Sequence, residues 1–151
     1  MNLNKFTEKA QEAVQGAQKI AQERHHTQME TEHLLLALID QEDGVVPQIL
    51  SKLNANIETT KEQIATELNR QAQASGAIQV YMSQQLSHVL DQAEKESGTL
   101  KDDYVSTEHL LIAIADEDKG AAGQILKKNG VTRDSILNAL TGIRMPLNQA
   151  Q

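Results

Sequence analysis

The amino-acid sequence predicts an all-α domain built from two pseudo-symmetric four-helix repeats packed as one unit. The first observation is a recurrence. Thr31-Glu32-His33-Leu34-Leu35 returns as Thr107-Glu108-His109-Leu110-Leu111, 76 residues further on, and self-similarity at a fixed interval marks a repeat architecture. The second is spacing: apolar residues recur at steps of three and four, the period of one helical face.

The register between the copies holds without a gap. Ala37 matches Ala113, Asp40 matches Asp116, Gly44 matches Gly120 and Gln48-Ile49-Leu50 matches Gln124-Ile125-Leu126. Extended backwards, it places Thr7 on Ser83, Val14 on Leu90 and Ala17 on Ala93. These matches divide the chain into a first repeat at 1–70, a connector at 71–80, a second repeat at 81–144 and a tail or linker at 145–151. A copy of about 70 residues buries only a modest core, so the two are expected to pack about a pseudo-twofold axis.

Thr7 is the expected N-cap of the first helix, and Ala10, Ala13, Val14, Ala17, Ile20 and Ala21 form its apolar stripe to about Glu23. Its partner starts at Ser83 and carries Leu86, Val89, Leu90 and Ala93. The second helix of each copy starts at Thr31 or Thr107 as N-cap, with a glutamate following where the helix dipole favours negative charge. Leu34 to Ile39 and Leu110 to Ala115 have no polar face, so these helices should be buried at the centre.

Gly44 and Gly120 allow a turn into the third helix, and Pro47 suits its first turn, where the missing amide hydrogen costs nothing. Fourth helices are expected at about Thr60 to Arg70 and Arg133 to Ile143. The connector, rich in Gln, Ala, Ser and Gly without periodicity, reads as a solvated loop.

Composition excludes several functions. The 151 residues contain no Cys and no Trp, which removes disulfides, thiolate metal sites and a thiol nucleophile. A net charge of −7 and only three aromatic residues, Phe6, Tyr81 and Tyr104, argue against nucleic acid as a partner. The opening residues lack the basic-then-apolar order of a secretory signal, and the run Leu34 to Ile39 is far too short to span a bilayer. A cytoplasmic protein without a membrane partner is expected.

No GxxxxGK[ST], GxSxG or HExxH motif is present, so the chain is not expected to be an enzyme, and no cofactor, metal or catalytic residue is assigned. His33 and His109 each follow a glutamate, but adjacent helical residues diverge by about 100° and do not converge on one ion. They are expected to pack or cap, whereas His25-His26, with Lys101-Asp102 in its place in the other copy, reads as solvated. The most informative polar set is Thr7, Glu32, Ser83 and Glu108, helix-start residues at matched positions. Besides capping, a dyad would bring their free amides and carboxylates to a shared groove.

Phe6-Thr7 before a helix, the Thr-Glu-His-Leu-Leu corner, the turn at Gly44 and the second corner Asp103-Tyr104-Val105-Ser106-Thr107-Glu108-His109 together resemble the Clp amino-terminal domain family over essentially residues 1 to 144. The start MNLNKFTEKAQEA and the segment LKDDYVSTEHLLIAIA are most similar to its ClpB-type branch of disaggregase chaperones. The resemblance implies a domain that recognises unfolded or aggregated polypeptides for delivery to AAA+ ATPase rings outside this chain, as a monomer when isolated and within a homohexamer when full length.

It also implies functional positions at Thr7, Asp102 or its neighbour Asp103, and Glu108, with a hydrophobic substrate groove bordered by Val89, Leu90 and Ala93. In the ClpC and ClpA relatives the two corners bind phosphorylated arginine or an adaptor protein, which would correspond to Glu32 and Glu108 with Thr7 and Ser83 nearby.

Overall fold

Several helix starts in this chain fall at a short polar residue whose side chain accepts from a first-turn amide, as at Thr7, Asn56 and Ser83, or at a glycine that supplies the extended backbone of a cap, as at Gly44 and Gly120. The computed structural model describes residues 3–149, with side chains as far as Ile143. Its first repeat contains α1 (Glu8–Glu23), α2 (Thr31–Ile39), α3 (Val45–Lys52) and α4 (Ile57–Leu68). The second contains α5 (Gln84–Thr99), α6 (Thr107–Ala115), α7 (Ala121–Lys128) and α8 (Arg133–Gln149). The expected all-α pair of four-helix repeats is observed.

Thr7 Oγ1 accepts from the Ala10 amide and Ser83 Oγ from the Leu86 amide, each at 3.1 Å. At α2 and α6 the caps are Glu30 and Ser106, not the expected Thr31 and Thr107. Glu30 and Ser106 hold the extended backbone of a cap, at φ −106° and −108°, while the threonines are the first helical residues and are buried. The fourth helix starts at Ile57 because the Asn56 side chain accepts from the Thr59 amide at 2.9 Å. Thr60, expected as its start, is buried inside it. Past Ile143 the backbone of α8 continues helical to Gln149 through most of the expected tail, whose last residues, 150 and 151, lie outside the described part.

Left-handed residues end the first helix of each copy. His25 and Lys101 both have φ 60°, and the amide of the next residue reaches back into the helix, His26 to the Ala21 carbonyl at 2.9 Å and Asp102 to the Ser97 carbonyl at 2.8 Å. This is a Schellman ending made without glycine, at a cost of about 1–2 kcal/mol for each non-glycine residue. It turns residues 26 and 102 back toward the corner that follows.

Leu34, Leu35 and Leu38 of α2, with Leu110, Leu111, Ile112 and Ile114 of α6, are at most 1% exposed and form the centre of the core. Helix α1 lies on α2 and α5 on α6, while α2 meets α6, α4 meets α7 and α3 meets α8 across the repeats. The third helix of each copy is therefore packed by the fourth of the other. At Gly123, matched to Pro47, the carbonyls of Ile114 and Glu117 occupy the space a Cβ would need.

The repeats are also laced by extended backbone, an element the helical periodicity did not announce. Strand β1 (Gln28–Met29) pairs in parallel with β2 (Tyr81–Met82), with Gln28 opposite Tyr81 and Met29 opposite Met82. A parallel bridge joins Phe6 to Val105. The 76-residue shift carries Met29 to Val105 and Phe6 to Met82, so these two pairings are one relation seen from opposite ends of the pseudo-dyad.

Candidate functional site

The lacing decides which candidate residues meet. The Thr7 amide donates to the Val105 carbonyl at 2.9 Å and the Val105 amide to the Lys5 carbonyl at 2.8 Å, so the start of α1 sits against the corner that opens α6. In the same way the Ser83 amide donates to the Met29 carbonyl at 3.1 Å and the Tyr81 amide to the Thr27 carbonyl at 2.8 Å, which seats the start of α5 against the corner that opens α2. The candidates divide into two crossed corners: Thr7 is brought to the segment carrying Asp102, Asp103 and Glu108, and Ser83 to the segment carrying Glu32.

At the second corner His109 Nδ1 accepts from the Ser106 amide at 2.8 Å. That bond leaves Nε2 to carry the proton, and it donates to Asp102 Oδ2 at 2.7 Å. Asp102 thus holds the corner histidine, while Asp103 and Tyr104 are exposed and Thr7 and Glu108 are half-buried.

The first corner repeats this framework with different chemistry. His33 Nδ1 accepts from the Glu30 amide at 2.8 Å, and His33 Nε2 faces His26 Nδ1 at 2.9 Å, with the rings edge-on. His26 is 2% exposed, which corrects its reading as solvated: the left-handed turn at His25 folds it inward. Burial, then the nearby His26 and Arg24, hold His33 down to about 4. Both histidines of the corner motif pack and cap, and each has both ring nitrogens engaged. Among the described residues no group of three or more His, Asp or Glu is placed to hold a metal ion.

Glu32 is buried, and that burial pushes its carboxyl above the usual range, assisted by Glu30 and Glu67 and opposed by its own amide and that of Ala122 at the start of α7. It borders an open cavity of about 480 Å³ with Glu30, Glu67, Arg70, Thr27 and Gln85. No local pattern announces that Glu67, on α4, and Arg70, just past its end, join this wall, because that depends on how α4 lies across α2.

The expected groove is not built from Val89, Leu90 and Ala93. They are 1%, 1% and 0% exposed, because this is the face that α5 lays on α6. The hollow beside Val89 measures about 100 Å³ and is walled by His88, Gln92, Glu96, Asp116 and Glu117 together with Val89 and Ala113, a small mixed lining and not an apolar groove. Exposed apolar area lies elsewhere, at Leu3 (38%), Tyr81 (60%), Met82 (37%) and Tyr104 (59%), all on the segments that lead into the corners. A signal for the two tyrosines existed in the repeat comparison, since they stand where the other copy has Lys5 and Gln28.

Two helical repeats crossed through short parallel pairings, each presenting a capped corner, define a Clp-type amino-terminal domain. The chain belongs to the family described as Clp repeat (R) N-terminal domain, which matches residues 5–129. Chaperone protein ClpB of Bacillus cereus is 36% identical over 148 residues, covering 95% of this chain and 17% of that protein. The Hsp104 N-terminal domain from Candida albicans has the same fold, with a TM-score of 0.77 at 22% identity over 92% of this chain and 91% of that one. A ClpV N-domain solved in complex with a VipB peptide aligns with a TM-score of 0.75 at 18% identity, over 92% of this chain and 86% of that one. Among the described residues no helix is long and apolar enough to cross a membrane.

Proposed function

We propose that this domain is the substrate-recognition module of an ATP-dependent ClpB-type disaggregase of the cytoplasm. It captures unfolded or aggregated polypeptides and delivers them to AAA+ rings that lie outside this chain, in a homohexamer. The observation that carries this reading is the second corner, where exposed Tyr104, with Leu3 on the segment ahead of Thr7, accompanies Asp103 and Glu108. An extended polypeptide offers both apolar side chains and backbone amides, and this surface has partners for each. Weak capture suffices, since tethering to the rings raises the local concentration of client. The peptide bound by the ClpV domain of the same fold lends support.

A second reading rests on the first corner. The cavity beside Glu32, at the start of α5 capped by Ser83, suits an adaptor or a phosphorylated arginine, as in ClpC- and ClpA-type subunits. Titration of the 151-residue chain with an unfolded model protein, and separately with free phosphoarginine, distinguishes the two through amide chemical shifts. Client capture expects shifts at Thr7, Tyr104 and Glu108 with the unfolded protein, and their absence sinks it. Shifts at Glu32 and Ser83 with phosphoarginine alone favour the second reading.

A further inference from the structure

The two corners share a backbone framework but close it with different locks. In both, the corner histidine uses Nδ1 to accept the amide of the cap residue, so its Nε2 carries a hydrogen. In the second corner that hydrogen points at the Asp102 carboxylate. In the first it points at His26 Nδ1, which must be an unprotonated lone pair for the 2.9 Å contact to be a hydrogen bond. Positions 26 and 102 are repeat equivalents, so the substitution is confined to the acceptor.

At the second corner the acceptor is a carboxylate, which has no ring nitrogen to protonate and keeps accepting from His109 Nε2 as long as it is ionised. The His26–His33 pair has no such tolerance, because each available lone pair is already spent. A proton on His26 Nδ1 sets two N–H groups against each other; a proton on Nδ1 of the corner histidine would oppose the cap amide in either corner alike, so the difference between the corners lies at position 26. Both rings are within 2% of full burial, so water cannot take over the lost bond without the segment moving.

We infer that the His26–His33 pair is an acid-released latch: protonation parts the rings, frees residues 25–32 and remodels the first-corner cavity, while the Asp102–His109 corner stays closed. The freed segment is the one whose Thr27, Gln28, Glu30 and Glu32 wall that cavity, and it also accepts the Tyr81, Ser83 and Ala74 amides. Release therefore loosens β2 and the connector as well.

The surrounding charges set the sensitivity. Arg24, at the end of α1 and bonded to Asn69 at 3.1 Å, opposes a proton on either ring. Glu30 and Glu32 flank the corner on α2, and α4 contributes Glu67 and Arg70, which pair at 3.5 Å. Burial likewise lowers the affinity of His26 for a proton, so release falls below neutral pH and not at it. This inference concerns the ordering of the corner and stands whichever ligand the corner takes.

The test is amide hydrogen exchange of the 151-residue chain at pH 7 and pH 4.5, read as protection factors, for wild type and His26→Asp. In wild type, protection of the Leu34, Tyr81 and Ser83 amides is expected to fall at least about tenfold more than that of Leu110 and Thr7. His26→Asp installs the second corner's lock and should make the two corners respond alike, with Glu32 present in both proteins to cancel its own proton uptake. Equal loss at both corners in wild type, or no loss at either, overturns the inference, as does a variant that responds like wild type. Imidazole nitrogen shifts at pH 7 add a check independent of the variant: His33 should carry its proton on Nε2, and the other tautomer would refute the latch.

Discussion

The backbone amide of Thr7 donates to the carbonyl of Val105 at 2.9 Å, and this bond registers the first helix of one repeat on the corner of the other. Its pseudo-dyad mate joins Ser83 to Met29 at 3.1 Å. Residues nearly 100 positions apart thus share a surface, and neither repeat alone contains a complete corner.

Replacing both Thr7 and Glu108 by alanine is expected to weaken binding of an unfolded client while lowering stability by only about 1–2 kcal/mol, the value of a lost cap. Denaturant unfolding beside a binding titration checks this. Unchanged binding with the same small stability loss would remove the second corner from the proposed site.

Tyr104 is 59% exposed, so Tyr104→Ala should shift stability by no more than about 0.5 kcal/mol. Client affinity should nonetheless drop several-fold. The control is Val89→Ala: Val89 is 1% exposed in the core, so its loss should appear as lower stability, with little change in the affinity of the molecules that remain folded.

Leu35 and Leu111 are repeat partners and both are fully buried. Truncating either to alanine should cost about 2–5 kcal/mol by chemical denaturation, the transfer of the lost atoms plus the cavity left behind. A loss below about 1 kcal/mol would mean that the central helices relax far more freely than their packing suggests.

Stability should fall in mild acid. An unfolded histidine takes up a proton near 6.5, whereas burial holds His33 down to about 4, so between those values the unfolded chain binds more protons and is favoured as pH drops. The contribution present above pH 6.5 is lost on the way to pH 4, amounting at most to about 3 kcal/mol. Glu32 works in the opposite direction, because burial raises its carboxyl and the folded state takes its proton first. Denaturation midpoints from pH 7 to 4.5 should therefore decline more steeply in Glu32→Gln than in wild type.

Much of the fold could be read from residue order because its signals are local. The helical spacing of Ala10, Ala13, Val14 and Ala17, the all-apolar run at Leu34 to Ile39 and the Gly44 turn report on neighbours within one helix or one turn. Where local signals compete, residue order places a boundary a residue or a turn away from its true position: Thr31 and Thr107 have the side chains of caps, yet the extended backbone that a cap requires belongs to Glu30 and Ser106. Val89, Leu90 and Ala93 showed an apolar face, and an apolar face by itself does not say whether it meets solvent or another helix.

The sequence alone determined the repeat, the helical class and the matching of Thr7 to Ser83 and Glu32 to Glu108, because identity at a fixed shift and the helical period are properties of the chain in one dimension. Only the tertiary structure decided that Thr7 faces the other repeat's corner, that His26 is buried against His33, and that Tyr81 and Tyr104 are exposed. Those outcomes depend on the parallel pairing of Phe6 with Val105 and Met29 with Met82. Such pairing is set by how two repeats bury a common core, and it leaves no periodic trace in segments two residues long.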